Sequence, residues 1–224
     1  QALRRRGFAD VAMESIIATP PGRRRRTVLS AVHSRRGPIL GFHERGSHRL
    51  LDIVSCPVLL PTLVALFAPL RHMLADVVPV GGSAQIALND TDTGIDCQIA
   101  CDADPGLAAR ETVAAFAASH DLARVSWRTR GRSAEPIAQR RLPVLRLGEA
   151  TVAVPPGGFL QASSEGEAAI RTAVGAWTEH AASIIDLFGG IGTLSLDRVP
   201  GRRVHIVEGD AEACASVEQA SRSP

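Results

Sequence analysis

Ser183-Ile184-Ile185-Asp186-Leu187-Phe188-Gly189-Gly190-Ile191-Gly192, followed by Val204-His205-Ile206-Val207-Glu208, is the stretch that decides the fold of this 224-residue chain. The first six residues are a short apolar run and predict a strand. The glycines after it let the backbone turn sharply and leave room for a ligand to lie against it. A short helix, a second strand over Val204 to Val207 and a last helix from about Asp210 to Ala220 should follow. That order is a βαβα unit of a parallel, doubly wound sheet. Only two strands of such a sheet are present, which is the pattern expected of a truncated one.

Working back from this unit, the character of the chain changes near Pro155. Ser164 and Glu167 read as a capping box. The helix they open would carry Ile170, Val174 and Trp177 on one face. Upstream, Pro20-Pro21-Gly22 breaks the chain, and Arg23 to Ser34 reads as extended. Gly37-Pro38 turns it, so that Ile39 to His43 pairs back as a hairpin. Leu50 to Val54 is a further strand. Residues 1 to 8 look like the end of a helix stopped at Gly7. Thr62 to Val77 places Leu63, Leu66, Phe67, Leu70 and Leu74 on one helical face, with a kink expected at Pro69. Strands are expected over Gln85 to Leu88 and Ile95 to Ile99, around the turn Asn89 to Gly94. A helix capped by Asp104, with Pro105 at its first position, should run to about His120. Strand character returns over Arg124 to Arg128 and Val144 to Val154. The expected fold is therefore α/β overall. A mixed α+β central domain over residues 1–155 leads into the first part of a truncated Rossmann-like domain over residues 156–224.

The glycine turn has a chemical logic. A carboxylate at the end of the second strand can accept hydrogen bonds from both hydroxyls of a ribose, and Glu208 lies 22 residues after Asp186, near the spacing such a role needs. Two ligands compete for the turn. A dinucleotide favours GxGxxG, whereas Gly190-Ile191-Gly192-Thr193-Leu194-Ser195 puts Ser at the third glycine. S-adenosylmethionine (SAM) has no phosphate and carries an ammonium, which suits a strand-borne Asp186. SAM is the favoured ligand; a turn that only packs helix on strand is the bland alternative.

Charge is unevenly spread. Residues 1–50 hold 11 Arg against 3 acids, net +8, while residues 51–150 come to −2 and residues 151–224 to −4. A basic N-terminal region fits contact with a polyanion such as RNA; a solvated arginine-rich surface is the alternative. All 25 basic residues are Arg, which can also reflect genomic base composition. No apolar run reaches the length of a membrane span and no signal peptide opens the chain. Cys56, Cys97, Cys101 and Cys214 form no zinc-type pair, so they read as reduced thiols of a cytoplasmic protein. Cys97 and Cys101 read as packing residues. The first residue is Gln1 rather than Met, and the chain is expected to be an interior fragment.

Asp186-Leu187-Phe188-Gly189-Gly190-Ile191-Gly192-Thr193 resembles motif I of the bacterial RNA uracil-5-methyltransferases, which usually have Cys or Ala where Gly189 stands. Val207-Glu208-Gly209 resembles the next motif of that family. Pro155-Pro156-Gly157-Gly158-Phe159-Leu160-Gln161 resembles its segment ahead of the SAM domain, and Leu40-Gly41-Phe42 with Leu51 to Leu59 resembles its central domain. The order of all four agrees, and the resemblance is thinnest between about residues 80 and 140. It implies an enzyme that methylates uridine C5 in RNA, most similar to the rRNA branch. It further implies cofactor contacts at Gln161, Phe188, Thr193 and Glu208, beside the Asp186 already read from the turn, with Gly190 and Gly192 shaping the pocket. Cys56 matches the distant cysteine by which some members hold a [4Fe-4S] cluster. The other three ligands have no counterpart here, so the fragment is expected to keep Cys56 as a packing residue and to bind no cluster. The family's catalytic Ser-Cys-Asn-Pro segment also has no counterpart, so no catalytic residue is assigned and the fragment is expected to be inactive. RNA, with rRNA first, is the expected partner of a monomer, with no membrane.

Two rivals stand beside this reading. One is a non-catalytic RNA-binding module built from the basic N-terminal region. The other is a different SAM- or dinucleotide-dependent enzyme that shares only the glycine turn.

Overall fold

The computed structural model describes residues 2–8, 11, 15–199 and 201–222. Helix α1 is the single turn Ala2–Arg5, closed by the Gly7 amide on the Arg4 carbonyl at 3.2 Å. Gln1, the first residue of the helix end read from sequence, lies outside the described residues.

Strands β1 (Arg26–Ser34), β2 (Gly37–His43) and β3 (Leu50–Asp52) form an antiparallel meander. Helices α2 (Pro61–Val64) and α3 (Phe67–Val77) follow. The expected single helix is thus two, and the break falls at Ala65–Leu66 rather than at Pro69. Pro69 sits in the first turn of α3, where its missing N–H costs nothing, and its ring forbids a continuous helix through Ala65. The five apolar residues of the expected face are all buried.

β4 (Ser83–Thr91) and β5 (Gly94–Cys101) form a long hairpin around Asp92–Thr93, tighter than the turn expected. α4 (Leu107–Ser119) begins after Gly106, not at an Asp104 cap, because Asp104 is engaged instead by the Thr129 hydroxyl at 3.0 Å. β6 (Arg124–Arg128) lies parallel to β5, and β7 (Glu135–Gln139), which was not expected, pairs antiparallel with β6. Pro136 and the polar ends of β7 mask its strand character. The sheet has seven strands in the order β3-β2-β1-β4-β5-β6-β7. Leu29, Leu40, Ile86, Ile99, Trp127 and the inner faces of α3 and α4 make one core on one side of it.

Val144 to Val154 is a hairpin rather than one strand, with β8 (Val144–Leu147) and β9 (Ala150–Ala153) joined at Gly148. It packs into a second core with Leu160, Ile191, Leu196, Ala213 and Ala220, so these two strands share apolar contacts with the glycine-turn unit that follows. α5 (Ser164–Trp177) is capped by Ser163, not Ser164: the Ser163 hydroxyl accepts from the Gly166 amide at 3.1 Å. Shifting the cap by one residue removes Glu167 from the box and frees it for another partner.

β10 (Ser183–Leu187) and β11 (Arg203–Val207) are parallel, in the register Asp186↔Ile206 and Leu187↔Val207. The segment between them is a run of turns ending in one 3-10 turn, Leu196–Arg198, where an α-helix was expected. α6 (Ala211–Arg222) closes the chain, with Asp210 Oδ1 accepting from the amides of Glu212 and Ala213, both at 2.9 Å. One face of the β10–β11 pair is packed by the second core. The other exposes Ile185, Leu187 and Val207, and Trp177 and Ile170 on α5 are exposed as well, so the apolar face expected for that helix is uncovered.

Candidate cofactor site

The carboxyl ends of β10 and β11 hold the site. Phe188, the first residue past β10, adopts φ +59° and is 92 % exposed. A left-handed conformation at a bulky non-glycine residue costs on the order of 1–2 kcal/mol, and such strain concentrates at ligand sites. The Gly189 amide donates to the Val207 carbonyl at 3.2 Å and so carries the parallel pairing into the turn. Gly190 (φ +56°) and Gly192 (φ +76°) then reverse the chain. The amides of Ser195 and Leu196 both return to the Gly192 carbonyl.

Glu208 closes the site from the second strand. Its Oε2 accepts from the Gly190 amide at 2.8 Å, and its Oε1 from the amides of Gly209 and Asp210 at 2.7 and 2.9 Å. These three backbone donors hold the carboxyl below the usual glutamate range, the Asp210 amide first. Oε1 is saturated by its two amides, and Oε2 keeps one free lone pair. Asp186 stands beside the turn, and its Oδ2 is buried with no hydrogen-bond partner among the described residues. An orphaned buried acceptor is costly, and a cationic amine would satisfy it.

Five of the seven cofactor residues read from sequence therefore gather at one strand edge: Asp186, Phe188, Gly190, Gly192 and Glu208. Thr193 is half-buried and makes no hydrogen bond among the described residues. Gln161 is half-buried and follows Leu160, which lies in the same core as Ile191; its backbone oxygen accepts from Arg25 Nε at 3.3 Å. No hydrogen bond links its side chain to the turn.

Polar anchors invisible in the sequence position the Pro155–Gln161 segment. Asn89 Nδ2 donates to the Gly158 carbonyl and Gln98 Nε2 to that of Pro156, each at 2.9 Å. Asp96 forms a buried ion pair with Arg124 at 2.7 Å, and Arg124 also reaches the Val154 carbonyl. A side chain at Gly157 would collide with Gln98, its Cβ coming 2.6 Å from Oε1. On their own strands these polar residues simply alternate with apolar ones, which reads as a solvent face; only tertiary structure shows that the face is covered.

The arginine run is also used internally. Arg25 is buried and pairs with Glu167 of α5 at 2.5 Å, Arg23 pairs with Glu165 at 3.4 Å, and Arg26 lies over the Phe159 ring at 4.7 Å. Part of the run expected to meet RNA instead ties the seven-stranded sheet to the second unit.

Cys56 is half-buried against the first core, and Cys97 and Cys101 are buried in β5. Burial pushes the Cys97 thiol well above its ordinary range. Cys214 donates to the Glu208 carbonyl at 3.5 Å. No group of three or more potential metal ligands occurs among the described residues. A [4Fe-4S] cluster requires four thiolates, and Cys56 alone does not fit one.

A strand, a glycine turn and a strand-end acid on a parallel pair, with a large mostly antiparallel sheet, make a mixed α/β fold similar to those of SAM-dependent methyltransferases. No family model matches the chain. It is 34% identical over 221 residues to an RNA methyltransferase of Brucella suis, an alignment that covers 99% of this chain and 52% of that protein. It is 33% identical over 213 residues to an RNA methyltransferase of Mesorhizobium japonicum, covering 95% and 50%. A 23S rRNA (uracil(1939)-C(5))-methyltransferase of Tolumonas auensis is 30% identical over 165 residues, covering 73% and 37%. Among solved structures, the tRNA (uracil-54, C5)-methyltransferase of Pyrococcus abyssi in complex with S-adenosyl-L-homocysteine shares the fold, with a TM-score of 0.66 at 16% identity. That match covers 89% of this chain and 51% of the other. The chain is a relative of the RNA methyltransferases, and it spans about half the length of the curated relatives it matches.

Proposed function

We propose that this chain carries the RNA-side domain and the opening of the SAM site of an RNA uracil-C5 methyltransferase acting on rRNA. Residues 1–155 and 156–224 are the two functional units, in a monomer of the cytoplasm. The relatives named above support the reading. The observation that carries it is the glycine turn bonded to Glu208 beside the partnerless oxygen of Asp186.

SAM supplies an electrophilic methyl group. Glu208, kept below the usual glutamate range by backbone amides, would accept from a ribose hydroxyl through the free lone pair of Oε2. Asp186 takes the ammonium of the amino-acid moiety. Gly190 and Gly192 admit the ligand to the backbone, since a side chain at either would need a strained φ. Phe188, exposed and turned out of the strand, and Gln161, on a segment clamped to the sheet by Asn89 and Gln98, would contact the cofactor together with Thr193. No residue of this chain is assigned as the nucleophile toward uracil: Cys97 and Cys101 are buried in the first core, Cys56 packs against it, and Cys214 faces a backbone carbonyl. The chain by itself is therefore expected not to transfer methyl.

Hydrogen exchange with and without S-adenosylhomocysteine tests the assignment. Slowed exchange over Gly189–Thr193 and at Gln161 is expected. Protection confined to other segments would contradict it.

A further inference from the structure

The polar side of the seven-stranded sheet is covered over only half its length. At one end the cross-strand row Arg26–Asn89–Asp96–Arg124 lies under Pro155–Phe159, fixed by the hydrogen bonds and the ring contact described above. Two rows further along the strands, Ser30–Gln85–Ala100–Arg128 is in register across β1, β4, β5 and β6 and carries no covering segment. These four residues line an open cavity of about 610 Å³, walled on one side by the β6–β7 loop Thr129-Arg130-Gly131-Arg132.

Small, polar floor residues and a cationic wall distinguish this recess. Arg128 is exposed and makes no ion pair among the described residues. Arg130 and Arg132 reach Asp102 at 2.9 Å and Asp104 at 3.5 Å, in pairs so exposed that they add little stability and can be exchanged for another anion. Three guanidiniums line one edge of the recess against the single carboxylate of Asp102, a net positive charge that suits the phosphates of a strand. Half-buried Ser30 and exposed Gln85 present donors and acceptors that a splayed base edge can reach, whereas a duplex keeps its bases stacked inside.

We propose that this uncovered half of the sheet docks single-stranded RNA, its phosphates along Arg128, Arg130 and Arg132 and a base edge over Ser30 and Gln85. The proposal rests on the RNA methyltransferase reading for the choice of RNA, and it places contact with the substrate further along the sheet than the Arg23–Arg26 run, part of which the fold uses internally.

The test is fluorescence anisotropy of the chain with a labelled, unstructured uridine-rich RNA over a range of salt. R128E/R132E should weaken binding by at least about tenfold and lower the slope of log affinity against log salt by about 1.4, two phosphate contacts' worth on a single strand. Ala100→Trp fills the recess without changing charge; it should weaken binding and leave the slope unchanged. Arg203→Glu, on β11, makes half that change of net charge away from the recess and should act far less than half as strongly. Circular dichroism confirms that each variant is folded. Parent-like affinity and slope in R128E/R132E, or an equal loss in Arg203→Glu, would overturn the proposal, as would failure of the parent chain to bind RNA. Displacement of the RNA by polyglutamate at equal charge would reassign the recess to an acidic protein and overturn it too. S-adenosylhomocysteine binding, measured separately, reads the methyltransferase assignment itself.

Discussion

The Gly190 amide donates to Glu208 Oε2 at 2.8 Å, joining the turn after β10 to the end of β11 across 18 residues of sequence. One carboxylate therefore shapes the turn as well as facing the ligand. Glu208→Ala should abolish cofactor binding while leaving far-ultraviolet circular dichroism unchanged, because the side chain is only half-buried and lies outside both cores. The carboxyl's pKa is depressed, so its contribution is complete above the ordinary value of 4.5 and is lost only as pH falls below it. S-adenosylhomocysteine affinity should hence be flat from pH 7 down to about 5. A decline centred near neutrality would assign the binding to another group.

Gly189 is locked by its neighbours. A Cβ there would stand 2.6 Å from Ile206 Cγ2 and 3.1 Å from Asp186 Cγ. Gly189→Ala is expected to cost about 1–3 kcal/mol. Ile206→Ala, by removing the γ2-methyl that the added Cβ would meet, should recover part of that in the double variant. Denaturant unfolding of the two single variants and the pair would show the coupling; strict additivity would mean that Ile206 is not the obstacle.

Arg25 and Glu167 form a buried pair between the start of β1 and helix α5. Removing one partner leaves a buried charge, so Glu167→Ala should destabilise the chain by about 3–5 kcal/mol. Exposed Glu165, paired with Arg23 at 3.4 Å, should cost under about 1 kcal/mol when replaced by Ala. Equal losses in urea titration would refute the tether.

Asn89 and Gln98 hold the segment that carries Gln161. The double variant Asn89→Ala, Gln98→Ala leaves the Gly158 and Pro156 carbonyls without these donors. Faster amide exchange at Gly157 and Gly158 is expected, with weaker S-adenosylhomocysteine binding and β10–β11 unaffected. Unchanged exchange there would show that the apolar contacts of Leu160 suffice.

Local signals were the legible ones. The parallel pair, the glycine turn and Glu208 could be read because each depends on residues close in sequence. The helical face of Leu63 to Leu74 was legible for the same reason, although Pro69 moved the break to Ala65–Leu66. Ser163 and Ser164 are adjacent and chemically alike, so the cap of α5 was placed one residue late. That slip concealed the role of Glu167, whose partner Arg25 lies 142 residues away. The alternation of Asp96 and Gln98 with Cys97 and Ile99 gave the correct strand but the wrong environment, because the cover comes from residues 155–159. The arginine run is legible only as charge: composition does not show which guanidinium is already paired.

Isothermal titration of the 224-residue chain with S-adenosylhomocysteine, and separately with NAD, tests the central claim most directly. S-adenosylhomocysteine should bind at one site, NAD should not, and both Asp186→Asn and Glu208→Ala should remove the signal. Tighter binding of NAD, or S-adenosylhomocysteine binding that survives both substitutions, would contradict the account.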